Sequence, residues 1–406
     1  MQRLKRTAEN NNMPSFQDAP TSSLMDQACA WRRDFHAHPE LGYHEHRTSE
    51  QVARLLESFG LTVTRGVGGT GVVATLQRGT GPAIGLRADM DALPMQENSG
   101  LAHASTHDGC MHACGHDGHT TVLLATAQHL CEATDFTGTV HFIFQPAEET
   151  GAGARRMIED GLFEQFPMQA VYGLHNWPGL RQGSLAVNPG AMMASQDTFN
   201  ILIQGSGSHA AMPENGIDPI VVATQLVSAL QTIVSRRISP LDAAVLSVTM
   251  IEAGTAYNVI PHTATIRGTV RCLSRDVRSR IQEMIATMVN TLPSAFGATG
   301  TVAFREGYPV TQNDPACAER VRDVAASILG AENVRWDTRA SMASEDFAYM
   351  LQSCPGAYFW LGADGAEASR PLHHPAYDFN DALIPVGVRL FCGILKSYQA
   401  ASVHQT

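Results

Sequence analysis

Between residues 191 and 306 the apolar spacing changes period in a fixed order: strand, helix, strand, strand, helix, strand. "TFNILIQGSG" alternates as a strand and "DPIVVATQLVSALQTIVSRRI" repeats as a helix. "AAVLSVTMIEAG" and "HTATIRGTVRCL" follow as two strands, then the helix "RDVRSRIQEMIATMVNTLPSAF" and the strand "GTVAFREGYPV". That βαββαβ order is ferredoxin-like and large enough to enclose a core of its own. It also interrupts a different pattern. Residues 23–59 read mainly as helix, and "GVVATLQRG", "PAIGLRADM", "GTVHFIFQP", "AVYGLHNWP" and "GAYFWLGAD" read as strands. Apolar helices such as "HTTVLLATAQHLCEA" and "ALIPVGVRLFCGILKSYQAA" come between or after them. Strands alternating with helices imply a mainly parallel sheet. The expected fold is therefore α/β: a mainly parallel-sheet domain over 23–190 and 307–406, interrupted by a ferredoxin-like insertion over 191–306. Residues 1–22 are polar, lack an apolar core segment of the signal-peptide kind, and are expected to be a disordered lead-in.

Polar donors collect where the parallel strands are expected to end, which is where open α/β sheets form their ligand crevice. Asp89 and Asp91 follow "AIGLR", Glu148 and Glu149 follow "VHFIFQPA", and His175 follows "AVYGL". "MHACGHDGH", at 111–119, places Cys114 and His116 just before a helix. Singly, each residue has a plainer role. Cys114 would serve as a core thiol, the glutamate pair as an acidic helix start, His175 as a hydrogen-bonded histidine and the aspartates as turn caps. Together they offer thiolate, imidazole and carboxylate, a donor mixture suited to zinc and other late divalent ions. Of two adjacent glutamates, one can coordinate while its neighbour moves a proton. His119 falls on the helix and is expected to support the site rather than ligate.

"LRADMDALP", "MHACGHDGH", "QPAEE", "GLHNWP", "GSGSHAAMPENGIDP", "AGTAYNVIP" and "LHHPAYDFND" occur in that order. The set resembles the amidohydrolase branch of the aminoacylase/carboxypeptidase metallohydrolases, which includes hippurate hydrolases, N-acyl-amino-acid amidohydrolases and indole-acetyl-amino-acid hydrolases. "WRRDFHAHPELGYHEHRTSE" resembles this branch too, so the likeness runs from about Trp31 to the C-terminus. The resemblance implies a catalytic α/β domain with an inserted lid and dimerisation domain. It implies Cys114, His116, Glu149, His175 and His373 as ligands of two divalent ions per subunit, whether zinc, manganese, nickel or cobalt. The family's spacing of histidine, one residue, then proline selects His373 over His374. Glu148 would be the general base and acid, and Asp91 the carboxylate that orients the ligands. His209, which in relatives reaches an active site, often across a dimer, would stabilise the oxyanion. Asn258 and Arg267 would contact the substrate.

The expected reaction is hydrolysis of the amide bond of an N-acyl amino acid, hippurate-like, to a carboxylic acid and a free amino acid. Two other readings stand beside it: a metallo-dipeptidase or aminopeptidase on the same scaffold, and a non-catalytic protein that binds amino-acid conjugates. Net charge at pH 7 is −11, which excludes a nucleic-acid partner and a polybasic membrane surface. No run of about 18 apolar residues is present to span a bilayer. Eight cysteines scattered without a disulfide-scaffold spacing point to a reducing, cytoplasmic setting. The insertion is expected to make the chain a homodimer, with a homotetramer as the alternative.

Overall fold

A computed structural model describes residues 19–133 and 135–403. Residues 1–18 of the expected lead-in lie outside the described residues. Thr21 starts the first helix, α1 (Ser22–Ala37), by accepting the Leu24 N–H on its hydroxyl at 3.2 Å. Helix α2 spans His46–Ser58. Strands β1 (Thr62–Val67), β2 (Gly71–Arg78) and β3 (Ala83–Asp89) come next, followed by α3 (His116–Glu132). Strands β4 (Gly138–Gln145), β5 (Ala170–Arg181) and β6 (Leu185–Val187) complete the first stretch. The insertion contributes β7 (Ser195–Gln204), α4 (Pro219–Thr232), β8 (Ala244–Ala253), β9 (Thr263–Cys272), α5 (Arg275–Thr291) and β10 (Thr299–Glu306). The chain closes with α6 (Pro315–Leu329), β11 (Val334–Trp336), β12 (Gly356–Asp364) and α7 (Leu383–Val403).

Contacts divide the chain into two compact units. The first comprises the described residues up to Val187, then Ala316–Trp336 and the chain from Cys354 onward. Its eight-stranded sheet has the order β1-β2-β4-β3-β5-β12-β6-β11. The central run β4-β3-β5-β12 is parallel, as is β6-β11, whereas β1-β2, β2-β4 and β12-β6 are antiparallel. Helix α3 is buried on every side, including Val122, Leu123, Leu124 and Leu130, as expected of an apolar helix between layers. Phe35 of α1, Val52 and Leu56 of α2, and Leu390 and Phe391 of α7 join the same core as Leu86, Phe142 and Phe359 of the sheet.

The second unit comprises Asn188–Pro315 and Asp337–Ser353. Its four-stranded sheet, β8-β9-β7-β10, is antiparallel throughout. The observed order β7-α4-β8-β9-α5-β10 is the βαββαβ order read from the sequence. Ala264, Ile266, Val270 and Cys272 of β9 point into its core with Phe199, Ile201, Leu226, Ile281 and Ile285. Residues 337–353, which the element pattern groups with the larger domain, pack here because Ser341 bridges Met193 and Ser344 donates to Gln196 at 2.7 Å. Among the described residues no helix is long and apolar enough to cross a membrane.

Candidate metal centre

The parallel register decides which donors meet. Asp89 pairs with Gln145, so β3 and β4 end at the same level and their loops leave one sheet edge together. Arg87 pairs with Gly173, which puts His175 of β5 level with Asp89. From that edge the chain supplies Asp91 after β3, Glu148 and Glu149 after β4, and His175 within β5. Cys114 and His116 arrive at the start of α3. Gly115, between them, has φ +95°, and a side chain there would collide with Asn176. The last donor comes from a loop before α7. His373, at φ +63°, donates its backbone N–H to Ala113 O at 2.8 Å, which ties its loop to the cysteine segment.

These residues lie within reach of shared cations. Donor atoms of Cys114, His116 and His175 all lie within 4.8 Å of one another, as do those of Cys114, Glu149 and His373, and those of His116, Glu148 and Glu149. Cys114 Sγ is 3.4 Å from His175 Nε2, and Glu149 Oε1 is 3.4 Å from His373 Nε2. His374 turns elsewhere, its Nδ1 accepting the Ala376 N–H at 3.0 Å.

Two features show that the residues fit metal ions. The first is ring orientation. His116 Nδ1–H donates to Asp91 O at 2.9 Å and His175 Nδ1–H donates to Asn176 O at 2.7 Å. Both rings therefore turn Nε2 toward the cluster, as metal-binding histidines do. The second is a pair of orphaned atoms. His116 Nε2 and Glu149 Oε1 are buried without hydrogen-bond partners and face each other at 4.0 Å. A cation between them satisfies both.

The electrostatics agree. Burial alone would keep His116 neutral, but the Asp89 charge, followed by Cys114 and Asp91, lifts its proton affinity well above the ordinary value. A field that draws a proton to Nε2 draws a metal cation there. Burial, then the Glu149 charge, pushes the Cys114 thiol well above its usual range. Only a nearby cation makes it a thiolate at neutral pH.

Behind the donors lies a buried polar chain. His119 Nδ1–H donates to Asp89 Oδ1 at 2.7 Å, and its Nε2 lies 2.6 Å from Asn176 Oδ1. Asn176 in turn donates to the Tyr377 hydroxyl, and Arg87 pairs with Asp89 at 2.7 Å. The His119 ring packs 4.4 Å from that of His175 at a steep angle, so it fixes the ring it touches. Asn176 and Tyr377 carry no metal-ligand signature of their own. Their only sequence signal is adjacency: Asn176 follows His175, and Tyr377 lies four residues after His373.

The remaining candidates belong to the second unit. His209 and Asn258 are brought together there: His209 pairs with Val259, and Ala210 N–H donates to Asn258 O at 3.0 Å. Both are exposed. Arg267, on β9, forms an ion pair with Glu252 at 2.7 Å.

Residues 85–397 match the family described as peptidase family M20/M25/M40. The N-acetyl-L-cysteine deacetylase of Bacillus subtilis is 42% identical over 89% of this chain and 86% of its own length. The hippurate hydrolase of Campylobacter jejuni is 40% identical over 90% of this chain and 95% of its own. Among solved structures, a dinuclear metal-binding peptidase of the M20 family from Bacillus subtilis superimposes with a TM-score of 0.82 at 34% identity, covering 93% of this chain and 99% of that one.

Proposed function

Since the chain belongs to the M20/M25/M40 peptidase family, we propose that it hydrolyses the amide bond of N-acyl amino acids with two divalent metal ions, releasing a carboxylic acid and a free amino acid. It is a hydrolase, and its donor set takes a metal pair. The observation that carries the reading is the convergence of Cys114, His116, Glu149, His175 and His373, with a second carboxylate, Glu148, left beside them. Metal ions in such a cluster would polarise the scissile carbonyl and make water acidic enough to act near neutral pH.

The chain's own residues supply the rest. The Glu148 carboxylate takes the proton of the attacking water on one of its oxygens and delivers it to the nitrogen of the departing amine. Asp91 keeps the ligands in place from behind: His116 Nδ1 lies 3.3 Å from its Oδ1, and its Oδ2 accepts the Glu149 N–H at 3.0 Å. In this reading His209 donates a hydrogen bond to the oxygen that becomes negative on attack, Asn258 orients the substrate and Arg267 exchanges Glu252 for the substrate carboxylate. The inserted domain serves as lid and dimerisation domain, giving a homodimer or a homotetramer, and a cytoplasmic setting suits eight free cysteines.

A bystander glutamate and a proton carrier differ in one measurement. The Glu148→Gln enzyme should keep its metal content and lose about 100-fold to 10,000-fold in kcat on N-acetylcysteine or hippurate. Near-normal turnover with both metals bound would remove Glu148 from the reaction.

A further inference from the structure

Glu148 sits between two amides that are each gripped by a buried carboxylate. Glu149 N–H donates to Asp91, and Ala147 N–H donates to Glu45 Oε1 at 2.8 Å. Glu45 comes from "ELGYHEH", 102 residues upstream of Ala147. It occupies the N-cap position of α2, where a carboxylate ordinarily accepts first-turn N–H groups. Here its side chain makes no capping bond. Glu40 takes over that task, accepting the Arg47 N–H at 3.1 Å and the Thr48 N–H at 2.8 Å. Glu45 is thereby free to point inward. It is fully buried, and its other oxygen accepts the Thr70 hydroxyl at 2.6 Å.

The turn that Glu45 holds is one the backbone would not choose. Ala147 has φ +52°, left-handed and unfavourable for a residue with a Cβ, so the surrounding structure must impose it. The same upstream segment grips the far end of the turn: the Tyr43 hydroxyl donates to Gly151 O at 2.7 Å. A Cβ on Gly151 would come within 2.5 Å of the Tyr43 ring and 2.7 Å of the Ala147 Cβ, so the packing is close. Placing a carboxylate in this spot is unfavourable in itself. Burial, with Asp91 adding to it against the Thr70 hydrogen bond, pushes its pKa up to about 7.

We infer that Glu45 is a positioning residue: through the Ala147 N–H it fixes the left-handed turn from which Glu148 and Glu149 project. This rests on the reading that Glu148 carries the proton and Glu149 ligates metal. The test compares Glu45→Ala, Glu45→Gln and Thr70→Val in the metal-loaded enzyme. For each, kcat and KM on an N-acyl amino acid are measured, with metal affinity by chelator competition and the melting temperature. The glutamine carbonyl still accepts the Ala147 N–H, so Glu45→Gln should keep kcat and metal affinity within about threefold of wild type. Glu45→Ala should lose about 10-fold to 100-fold in kcat and a similar factor in metal affinity, with KM within about threefold. Thr70→Val, which loosens Glu45 without removing it, should fall between them, and it decides the matter should Glu45→Ala not fold. Wild-type kcat and metal affinity in the alanine variant, or in Thr70→Val when the alanine variant does not fold, would overturn the inference. So would a glutamine variant as impaired as the alanine one. Glu148→Gln in the same series separates the two ideas. If it keeps full turnover, the proton-carrier reading fails, while chelator competition still reports whether Glu45 sets the stance of Glu149.

Discussion

The two units hold their candidate residues in opposite ways. In the first, Cys114, His116 and His175 are buried, backbone acceptors orient the two histidine rings, and the unpaired His116 Nε2 and Glu149 Oε1 face each other. In the second, His209 lies exposed on a short two-stranded ladder with Asn258 exposed just before it, and Arg267 is paired with a half-exposed glutamate. The difference suits the roles proposed for each set. Metal ligands need a fixed, dry arrangement before the ion arrives, because flexibility and water both compete with coordination. Groups that meet a substrate must be reachable, and are drawn from loops and edges. Changes to the candidate ligands of the first unit should therefore alter what is bound at rest, and changes in the second only what happens during turnover.

The largest effect should come from the ligands. Cys114→Ala or His175→Ala should reduce metal content and lower turnover by at least about 1,000-fold, and chelation of the wild-type enzyme should do the same, measured as hydrolysis alongside elemental analysis. His209→Ala should lower kcat by about 100-fold to 1,000-fold and leave the metals in place. Metal loss from that variant would break the contrast between the units. A smaller effect should appear in stability. Burial disfavours the charged form of His36, but the hydrogen bond and charge of Asp117, at 2.8 Å, and those of Glu97, at 3.4 Å, raise its pKa to about 10. A raised pKa means that this contribution is whole below about pH 6.5 and is lost as pH climbs toward 10. Stability should therefore fall by about 3 kcal/mol between pH 7 and 10, read as a lower melting temperature, and His36→Gln should flatten that dependence. The smallest effect belongs to Arg267→Ala. It should leave melting unchanged within about 0.5 kcal/mol and raise KM for a carboxylate-bearing substrate by about threefold to tenfold, visible in steady-state kinetics.

Much of this contrast is legible in the chain before any coordinate is known. The βαββαβ run shows because each of its elements is long enough to display its period. The donor segments show because each is a compact motif at a strand end. What escapes is short or distant. Leu185–Val187 and Val334–Trp336 complete one side of the large sheet, yet three residues carry no period. Asp337–Ser353 packs with the second unit through single bridges that no local pattern announces. Glu45 looks like a helix start in sequence. Its side chain abandons that position for an amide on another element, a choice made by tertiary structure alone. Asn176 likewise looks like filler after His175 until it is seen between His119 and Tyr377.

The backbone bond from His373 to Ala113 has a consequence for how the protein is made. The five donors are spread from Cys114 to His373, so a ribosome must deliver most of the polypeptide before the last of them can join the others. With these five as the metal ligands, full metallation would be a late event in biogenesis. A nascent chain stalled or cut before that loop would then carry an incomplete, weakly chelating set, and full metallation would report that synthesis has run past residue 373.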